Sequence, residues 1–310
     1  MNKDIKALVM FSGGLDSILA VKILEKQGID CTAIIFTSPF FSDKKAKIQA
    51  EKFGIKLMSV DITDPHFQML QNPVYGYGKN LNPCIDCHGL MFKIAGEIAD
   101  QGGFQIIASG EVVGQRPMSQ NKSALNSVSK ITGRDILRPL SAKLLPETIY
   151  EKQGLVDRNQ LLDISGRARK AQLQLAEEFG LQGYEFPGGG CLLTETGYTN
   201  KLKSLFQSFP KEILPIDAEL LKYTRLQIFP RGFVMMGKDN ETNLKILEII
   251  QKEKKHSNRY LVLKLKNITG PIGLVRNILG EQNYLHDCKA LFKEKVGKLK
   301  NMENFDFELS

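Results

Sequence analysis

A doubly wound α/β fold is what the first half of this 310-residue sequence predicts, with a smaller α+β domain after it. Two patterns carry that reading. Strand-length apolar runs alternate with amphipathic stretches of helical period, and segments rich in glycine, cysteine and polar residues follow the runs. Residues 5–11 (IKALVMF) read as a short buried strand and 16–27 (DSILAVKILEKQ) as a helix, with Ile18, Leu19, Val21, Ile23 and Leu24 giving it a wide apolar face. Residues 31–36 (CTAIIF) read as a second strand, 44–53 as a helix and 56–61 (KLMSVD) as a third strand. A helix over 88–101 (HGLMFKIAGEIADQ) and a strand over 104–109 (FQIIAS) follow. Such alternation implies parallel strands joined by right-handed crossovers. Sheets of this kind bind ligands beyond the carboxyl ends of their strands. The loop at 12–17, the loop holding Cys84 and the loop at 110–118 all lie there by this reading.

The pattern loosens from about residue 140 to 198. DISGRARKAQLQLAEEFGL (163–181) reads as a helix with Ser165 as its N-cap and Gly180 as its stop. Arg167, Arg169 and Lys170 then fall in its first turns, against the preference of the helix dipole, which is easier to understand if phosphates sit nearby. In YEFPGGGCLLTETG, Gly188, Gly189 and Gly190 let backbone approach a neighbour closely before Cys191. Strands over 226–229, 233–236 and 260–265, with helices over 241–254 and 285–297, make the last third a small α+β module. The domains read as 1–145, a linking helical segment at 146–200 carrying the third cysteine, and 201–310.

Composition bounds the function. Hydrophobic content of 42% and charged content of 25% are those of a soluble globular protein. No apolar run approaches the ~20 residues needed to span a bilayer. Charge begins at Lys3, so a cytoplasmic protein without signal peptide or membrane partner is expected. The net charge of +8 is uneven: residues 1–200 hold 22 Lys and Arg against 21 acidic residues, residues 201–310 hold 20 against 13. A basic appendage beside a neutral domain favours a polyanionic partner, unless it is simply a solvated lysine-rich surface. The five cysteines do not form a disulfide framework in such a compartment. Cys84 and Cys87 form a CxxC, Cys191 follows the glycines, Cys31 sits in an apolar strand, and Cys288, His256 and His286 read as structural or surface residues.

The turn Ser12-Gly13-Gly14-Leu15-Asp16-Ser17 joins a strand to a helix N-terminus, where free backbone N–H groups and the helix dipole attract an anion. Ser12 and Ser17 can add hydroxyl donors. Asp16 would repel a phosphate directly, which suits a carboxylate holding Mg²⁺ bound to that phosphate. Neither the Walker pattern nor G-x-G-x-x-G is present, so nothing argues for γ-phosphate transfer or dinucleotide binding. The stretch resembles the SGGxDS loop of the PP-loop ATP pyrophosphatase superfamily, over roughly residues 1–145 as a fold. That resemblance implies cleavage of ATP between its α and β phosphates, with a substrate oxygen becoming adenylated.

NPCIDCHGLMF (82–92) resembles the NPCxxCN segment of the 2-thiouridylase branch of that superfamily, in which a second cysteine follows later in a glycine-preceded loop, as Cys191 does here. The resemblance implies an ATP-dependent tRNA sulfurtransferase with Asp16, Cys84 and Cys191 catalytic. It also implies tRNA as substrate and sulfide or a cysteine desulfurase as sulfur donor. A homodimer is left open. Two schemes deliver the sulfur: a persulfide on one cysteine resolved by another, or a three-cysteine [4Fe-4S] cluster on Cys84, Cys87 and Cys191 with one iron open. Structural zinc is the bland alternative and needs a fourth ligand from His88, His66 or Asp86. In SGEVVGQRPMSQN (109–121), Glu111, Gln115 and Arg116 could reach phosphate or base, with Arg138, Ser141 and Lys143 as further candidates.

Residues 229–250 resemble the RNA-binding module of NFACT proteins over a short stretch. With the charge surplus this implies RNA contact through Arg231, Lys238, Lys264, Lys266 and Arg276, with Phe229, Phe233 or Tyr260 available to stack on bases. Two rivals remain: a PP-loop ligase or amidotransferase acting on a small molecule, which would depend on ammonia and not on the cysteines, and a non-enzymatic zinc-containing RNA-binding adaptor.

Overall fold

The computed structural model describes residues 5–184, 190–253, 255–266, 269–278, 290 and 292–294, and the backbone alone of 307–309. The chain divides into two compact units, Met1–Thr194 and Glu195–Ser310. In the first, β1 (Lys6–Met10), α1 (Leu15–Lys26), β2 (Asp30–Thr37), α2 (Lys44–Lys52) and β3 (Leu57–Asp61) follow one another as the alternation requires. Then come α3 (Thr63–Gln71), α4 (Cys84–Gly102), β4 (Ile106–Ser109), α5 (Lys122–Thr132), α6 (Ile149–Lys152) and α7 (Lys170–Glu178). The strands pair in parallel in the order β3-β2-β1-β4. Leu137 extends the sheet beside β4 through a parallel bridge to Ala108.

Alternation along the central strands fills two cores. Ala7, Val9, Ala33 and Ala108 face α1 and the Ala176 side of α7, while Leu8, Ile34, Phe36 and Ile107 face Phe92, Ala95 and Ala99 of α4 and Val128 of α5. This is the expected doubly wound α/β sheet. Its strand order reverses beside β1, which has β2 on one side and β4 on the other, so the ligand-binding switch point lies outside the carboxyl ends of β1 and β4.

Three local expectations change. The CxxC is not in a loop but in the first turn of α4, where Cys87 N–H bonds the Pro83 carbonyl. Proline next to a helix start is well tolerated, so Pro83 marks the entry to α4 and not a break. Helix α7 begins at Lys170, because Ser165 pairs with Val113 and the Gly166 N–H bonds the Val113 carbonyl. Arg167 therefore precedes the helix, Arg169 is its N-cap, and the dipole penalty does not arise for them as expected. Helix α3 is an addition to the elements that the sequence pattern predicts.

The second unit comprises α8 (Thr196–Ser208), α9 (Pro215–Leu220), β5 (Thr224–Phe229), β6 (Gly232–Gly237), α10 (Asn240–Lys252), β7 (Leu261–Leu265), β8 (Gly273–Asn277) and β9 (Phe307–Leu309). Its antiparallel sheet has the order β5-β6-β8-β7-β9. Most of the helix expected over 285–297 lies outside the described residues, as do Cys288, His286, Gly188 and Gly189. Arg276 corrects an expectation: it is 2% exposed, pairs with the buried Asp217 and donates to the Glu212 carbonyl. The Tyr260 hydroxyl also donates to Asp217, at 2.5 Å. Period two along β8 puts Arg276 on the same side as the buried Leu274, so its charge is spent inside the unit and not on RNA. Phe229, Phe233 and Tyr260 are likewise buried and offer no stacking face, whereas Lys238 and Lys266 are exposed. Among the described residues no helix is long and apolar enough to cross a membrane.

Candidate active site

The turn after β1 is shaped by contact with its neighbours. Gly13 has φ +78°, and a Cβ on it would stand 3.0 Å from Ala46 Cα, so α2 presses on the loop where only glycine fits. Gly14 caps α1, and its carbonyl accepts from the N–H groups of Ser17 and Ile18 and from Ser17 Oγ at 2.7 Å. Ser17 is thus a buried loop tie, Leu15 is a core residue, and Ser12 stays exposed with its hydroxyl accepting weakly from Gly14 N–H at 3.4 Å. The amides of Leu15 and Asp16, which precede Ser17 and Ile18, lack intrahelical acceptors, as at any helix start. Gly110, just past β4, is a site residue that sequence reasoning misses. A Cβ there would fall 2.4 Å from the Asp16 carbonyl oxygen, so β4 runs directly into the loop. A glycine immediately after a central strand is the signal that could have found it.

Asp16 sits at the centre of a polar relay. Its Oδ2 accepts from Gln115 Nε2 at 2.7 Å and lies 3.8 Å from Arg169 Nη2, while its Oδ1 is buried with no hydrogen-bond partner. Gln115 Oε1 in turn accepts from Gln172 Nε2 at 3.3 Å.

The cysteines come from two segments. Cys84 and Cys87 open α4, and Cys191 begins a short stretch pinned at both sides: Leu192 N–H bonds the Phe40 carbonyl, Leu81 N–H bonds the Leu193 carbonyl, and Asn80 Nδ2 bonds the Thr194 carbonyl at 2.8 Å. The sulfurs come close enough to feel one another's charge. Burial pushes the Cys87 thiol well above its ordinary value, and Cys191 and Cys84 add to that rise. Burial also raises Cys84, offset in part by a hydrogen bond to Asn82 Oδ1 at 3.1 Å and by the Arg116 charge. Arg116 itself is exposed, and its charge acts at Cys84. Cys31, buried and pushed up to about 12, is the core residue expected.

The candidates for a fourth ligand separate clearly. Asp86 caps the turn at 74–75, accepting from Val74 and Tyr75 N–H groups. His88 turns to Glu111, Nδ1 to Oε1 at 3.0 Å. His66 alone of the three lies against a cysteine, with Nε2 3.3 Å from Cys87 Sγ, between the rings of Phe40 and Phe41. Burial lowers its pKa to about 4, so the ring is neutral at physiological pH.

Glu111 anchors the other side of the site. Burial opposes its charge, but Arg138 and His88 outweigh burial and hold it at about 2. Arg138 Nε donates to it at 3.0 Å, whereas Arg138 Nη2 is buried without a partner. Ser141 and Lys143 are structural: Ser141 Oγ donates to the Ile164 carbonyl and accepts from Val113 N–H, and Lys143 Nζ binds the Asn159 carbonyl.

The buried, unpartnered Asp16 Oδ1 fits a hard cation such as Mg²⁺. Three thiols of soft donor character fit an iron–sulfur cluster by ligand chemistry. Among the described residues, however, no three His, Cys, Asp or Glu side chains are grouped so as to hold a metal ion, so the cysteines would have to close upon one.

Residues 3–145 match the model of the thiamine biosynthesis protein (ThiI) family. Probable tRNA sulfurtransferases are similar to this chain: that of Oceanobacillus iheyensis is 30% identical over 155 residues, covering 48% of this chain and 38% of its own. That of Acholeplasma laidlawii is 32% identical over 170 residues (51% and 38%), and that of Macrococcus caseolyticus 35% over 144 residues (44% and 34%). The chain thus spans little more than a third of the length of these curated relatives. Among solved structures, a predicted subunit of a tRNA methyltransferase from Methanocaldococcus jannaschii covers 56% of this chain and 76% of its own, at 20% identity and a TM-score of 0.37. The match to the ThiI family model thus falls on the stretch that holds the four-stranded parallel sheet, the glycine turn and the CxxC.

Proposed function

We propose that the chain is an ATP-dependent tRNA sulfurtransferase, which adenylates a uridine carbonyl oxygen and replaces it with sulfur. The observation that carries this reading is the presence, in one compact unit, of a glycine-turn anion cradle and the neighbouring thiols of Cys84, Cys87 and Cys191. The names of the relatives that match about half of the chain support it.

The chemistry follows from leaving groups. A carbonyl oxygen leaves poorly, whereas AMP leaves well. The uridine oxygen attacks the α-phosphorus of ATP, the bond to the β-phosphate breaks, and pyrophosphate departs. A sulfur nucleophile then adds to the activated carbon, and AMP leaves with the original oxygen. The loop from Ser12 to Ser17 cradles the departing phosphates through the amides that its own turn leaves open, at Gly13, Leu15 and Asp16, and Asp16 is the seat for Mg²⁺, which offsets their charge. Arg116, exposed near Cys84, is suited to a substrate phosphate or base. A [4Fe-4S] cluster held by Cys84, Cys87 and Cys191 would supply an iron open to hydrosulfide. In a second route the same thiols carry and resolve a persulfide, with Cys87 Sγ set 3.3 Å from His66 Nε2. Sulfide is the donor for the cluster route and the persulfide of a cysteine desulfurase, already at the sulfane level, is the donor for the second, while the exposed lysines of the basic second unit contact tRNA. The setting is the cytoplasm, and a homodimer is compatible with it.

Anaerobic purification with metal analysis and a visible spectrum, beside a Cys191→Ala variant, tests this. A brown chromophore that weakens in the variant is the expected result and joins Cys191 to the α4 cysteines. A colourless protein that forms thiouridine only with a persulfide donor selects the second route. Pyrophosphate release without any thiouridine, dependent on ammonia, overturns the proposal.

A further inference from the structure

The Asp16 carboxylate can only accept hydrogen bonds, and this fixes the direction of everything attached to it. Gln115 must present its Nε2 to Asp16 Oδ2, so its Oε1 faces Gln172; Gln172 must then present its own Nε2, which leaves Gln172 Oε1 as a spare acceptor. Gln172 is fully buried, and that spare oxygen has no partner. Asp16 Oδ1 and Gln120 Oε1 are in the same condition. A buried amide oxygen left open costs about 1–3 kcal/mol, so the open acceptors at the two ends of the Asp16–Gln115–Gln172 relay point to something that binds there.

Arg169 supplies the opposite charge. Its guanidinium stands 3.8 Å from Asp16 Oδ2, an ion-pair distance but not a hydrogen bond, and the residue remains a quarter exposed. A guanidinium has five N–H donors, and a single loose contact leaves most of them for a phosphate. Asp16 and Arg169 cancel one another; a divalent cation added at Asp16 then turns the loop net positive, as a pyrophosphate group requires. Both Arg169 and Gln172 belong to the start of α7 and lie outside the residues matched by the family model, 3–145. Their placement follows from the packing of α7 in the core that also holds α1, through Ala176 and the partly buried Leu175 and Phe179.

We propose that Arg169 is a phosphate-binding residue of the nucleotide site, and that Gln172, acting through Gln115, is a positioning residue that turns the open oxygen of Asp16 toward the cation. This rests on reading residues 12–17 as the pyrophosphate loop for ATP. It makes the segment at 165–172 part of the ATP site, contributed from beyond the matched domain.

The test is equilibrium binding to the full chain of Mg²⁺ with α,β-methylene-ATP, which is not cleaved between its α and β phosphates, and of AMP. Arg169→Gln should weaken binding of the triphosphate analogue by about tenfold or more, the loss of one charged hydrogen bond, and leave AMP binding unchanged. Arg169→Lys should fall between. Gln172→Met should raise the Mg²⁺ concentration needed for half-saturation and leave affinity at saturating Mg²⁺ near that of the parent. Equal or tighter analogue binding by Arg169→Gln, or an equal loss for AMP, overturns the assignment. If the parent protein binds neither nucleotide, the ATP reading itself fails, and this inference falls with it. Thermal melts accompany each variant, and should Arg169→Gln not fold, Arg169→Lys decides by the same ratio of analogue to AMP affinity.

Discussion

In the second unit, the buried Asp217 is ringed by donors: the Arg276 guanidinium and the Tyr260 hydroxyl both reach it, and Arg276 finds a further acceptor in the Glu212 carbonyl. In the first unit, the buried polar groups beyond β1 and β4 keep open valences: Asp16 Oδ1, Gln120 Oε1, Gln172 Oε1 and Arg138 Nη2. Both regions bury charge in a hydrophobic surround, and both use an arginine against a carboxylate. They differ in whether the protein completes the network itself. A closed network rigidifies a core, whereas an open one is costly unless a ligand closes it. Satisfaction, more than burial, therefore separates these two networks, although single open atoms also occur elsewhere, at Gln49 Oε1 and at His256 Nδ1 in the second unit.

The closed network is most sensitive at Asp217. Asp217→Asn leaves the Arg276 charge buried and poorly compensated, and should destabilise the protein by about 3–5 kcal/mol, read from urea unfolding. Replacing the pair together, Asp217→Leu with Arg276→Met, removes both charges and should recover most of that loss. A cost under about 1 kcal/mol for Asp217→Asn would mean that the network is not closed as described.

Glu111 lies between the two cases, closed toward Arg138 and His88 but next to an open guanidinium nitrogen. Its folded pKa of about 2 lies below its ordinary 4.5. The stabilisation is therefore fully present above about pH 4.5 and is lost as pH falls toward 2. Its size is on the order of 3 kcal/mol, because each tenfold change in a proton's binding constant is worth about 1.4 kcal/mol. Acid unfolding followed from pH 6 to 2 should show that fall, and Glu111→Gln should flatten this window while lowering stability at neutral pH. An unchanged profile in the variant would remove Glu111 from the group of ionised buried carboxylates.

Much of the first unit is legible in the sequence because its signals are local. Strand-length runs such as KALVM and CTAIIF, and the glycine turn between strand and helix, specify their own conformation. The candidate site is legible where a short motif marks it, as the glycine turn marks Asp16 and the CxxC marks Cys84 and Cys87. It is not legible where residues meet from distant segments. Nothing in the sequence sets Gln172 against Gln115, or Gly110 against the Asp16 carbonyl, because both contacts depend on how α7 and β4 pack beside α1. Arg276 misleads for the same reason: a basic residue in a basic region suggests a surface, and its buried partner Asp217 lies 59 positions away.

The smallest effect on stability should come from Asp16, and that smallness is the sharpest form of the comparison. Asp16 lies in the first turn of α1, where a negative charge gains about 0.3–1 kcal/mol from the helix dipole, and its contact with Arg169 is loose. Asp16→Asn keeps an oxygen for Gln115 and removes the charge, so unfolding should shift by no more than about 1 kcal/mol. Binding of Mg²⁺ with α,β-methylene-ATP, by contrast, should be lost, because the open Oδ1 is a charged ligand only in the aspartate. A scaffold carboxylate such as Asp217 gives the reverse signature, a large stability loss on the same Asp→Asn change. If Asp16→Asn cost as much stability as Asp217→Asn and still bound the nucleotide, the open valences of the first unit would be structural after all. The difference between the two units would then lie in packing and not in function.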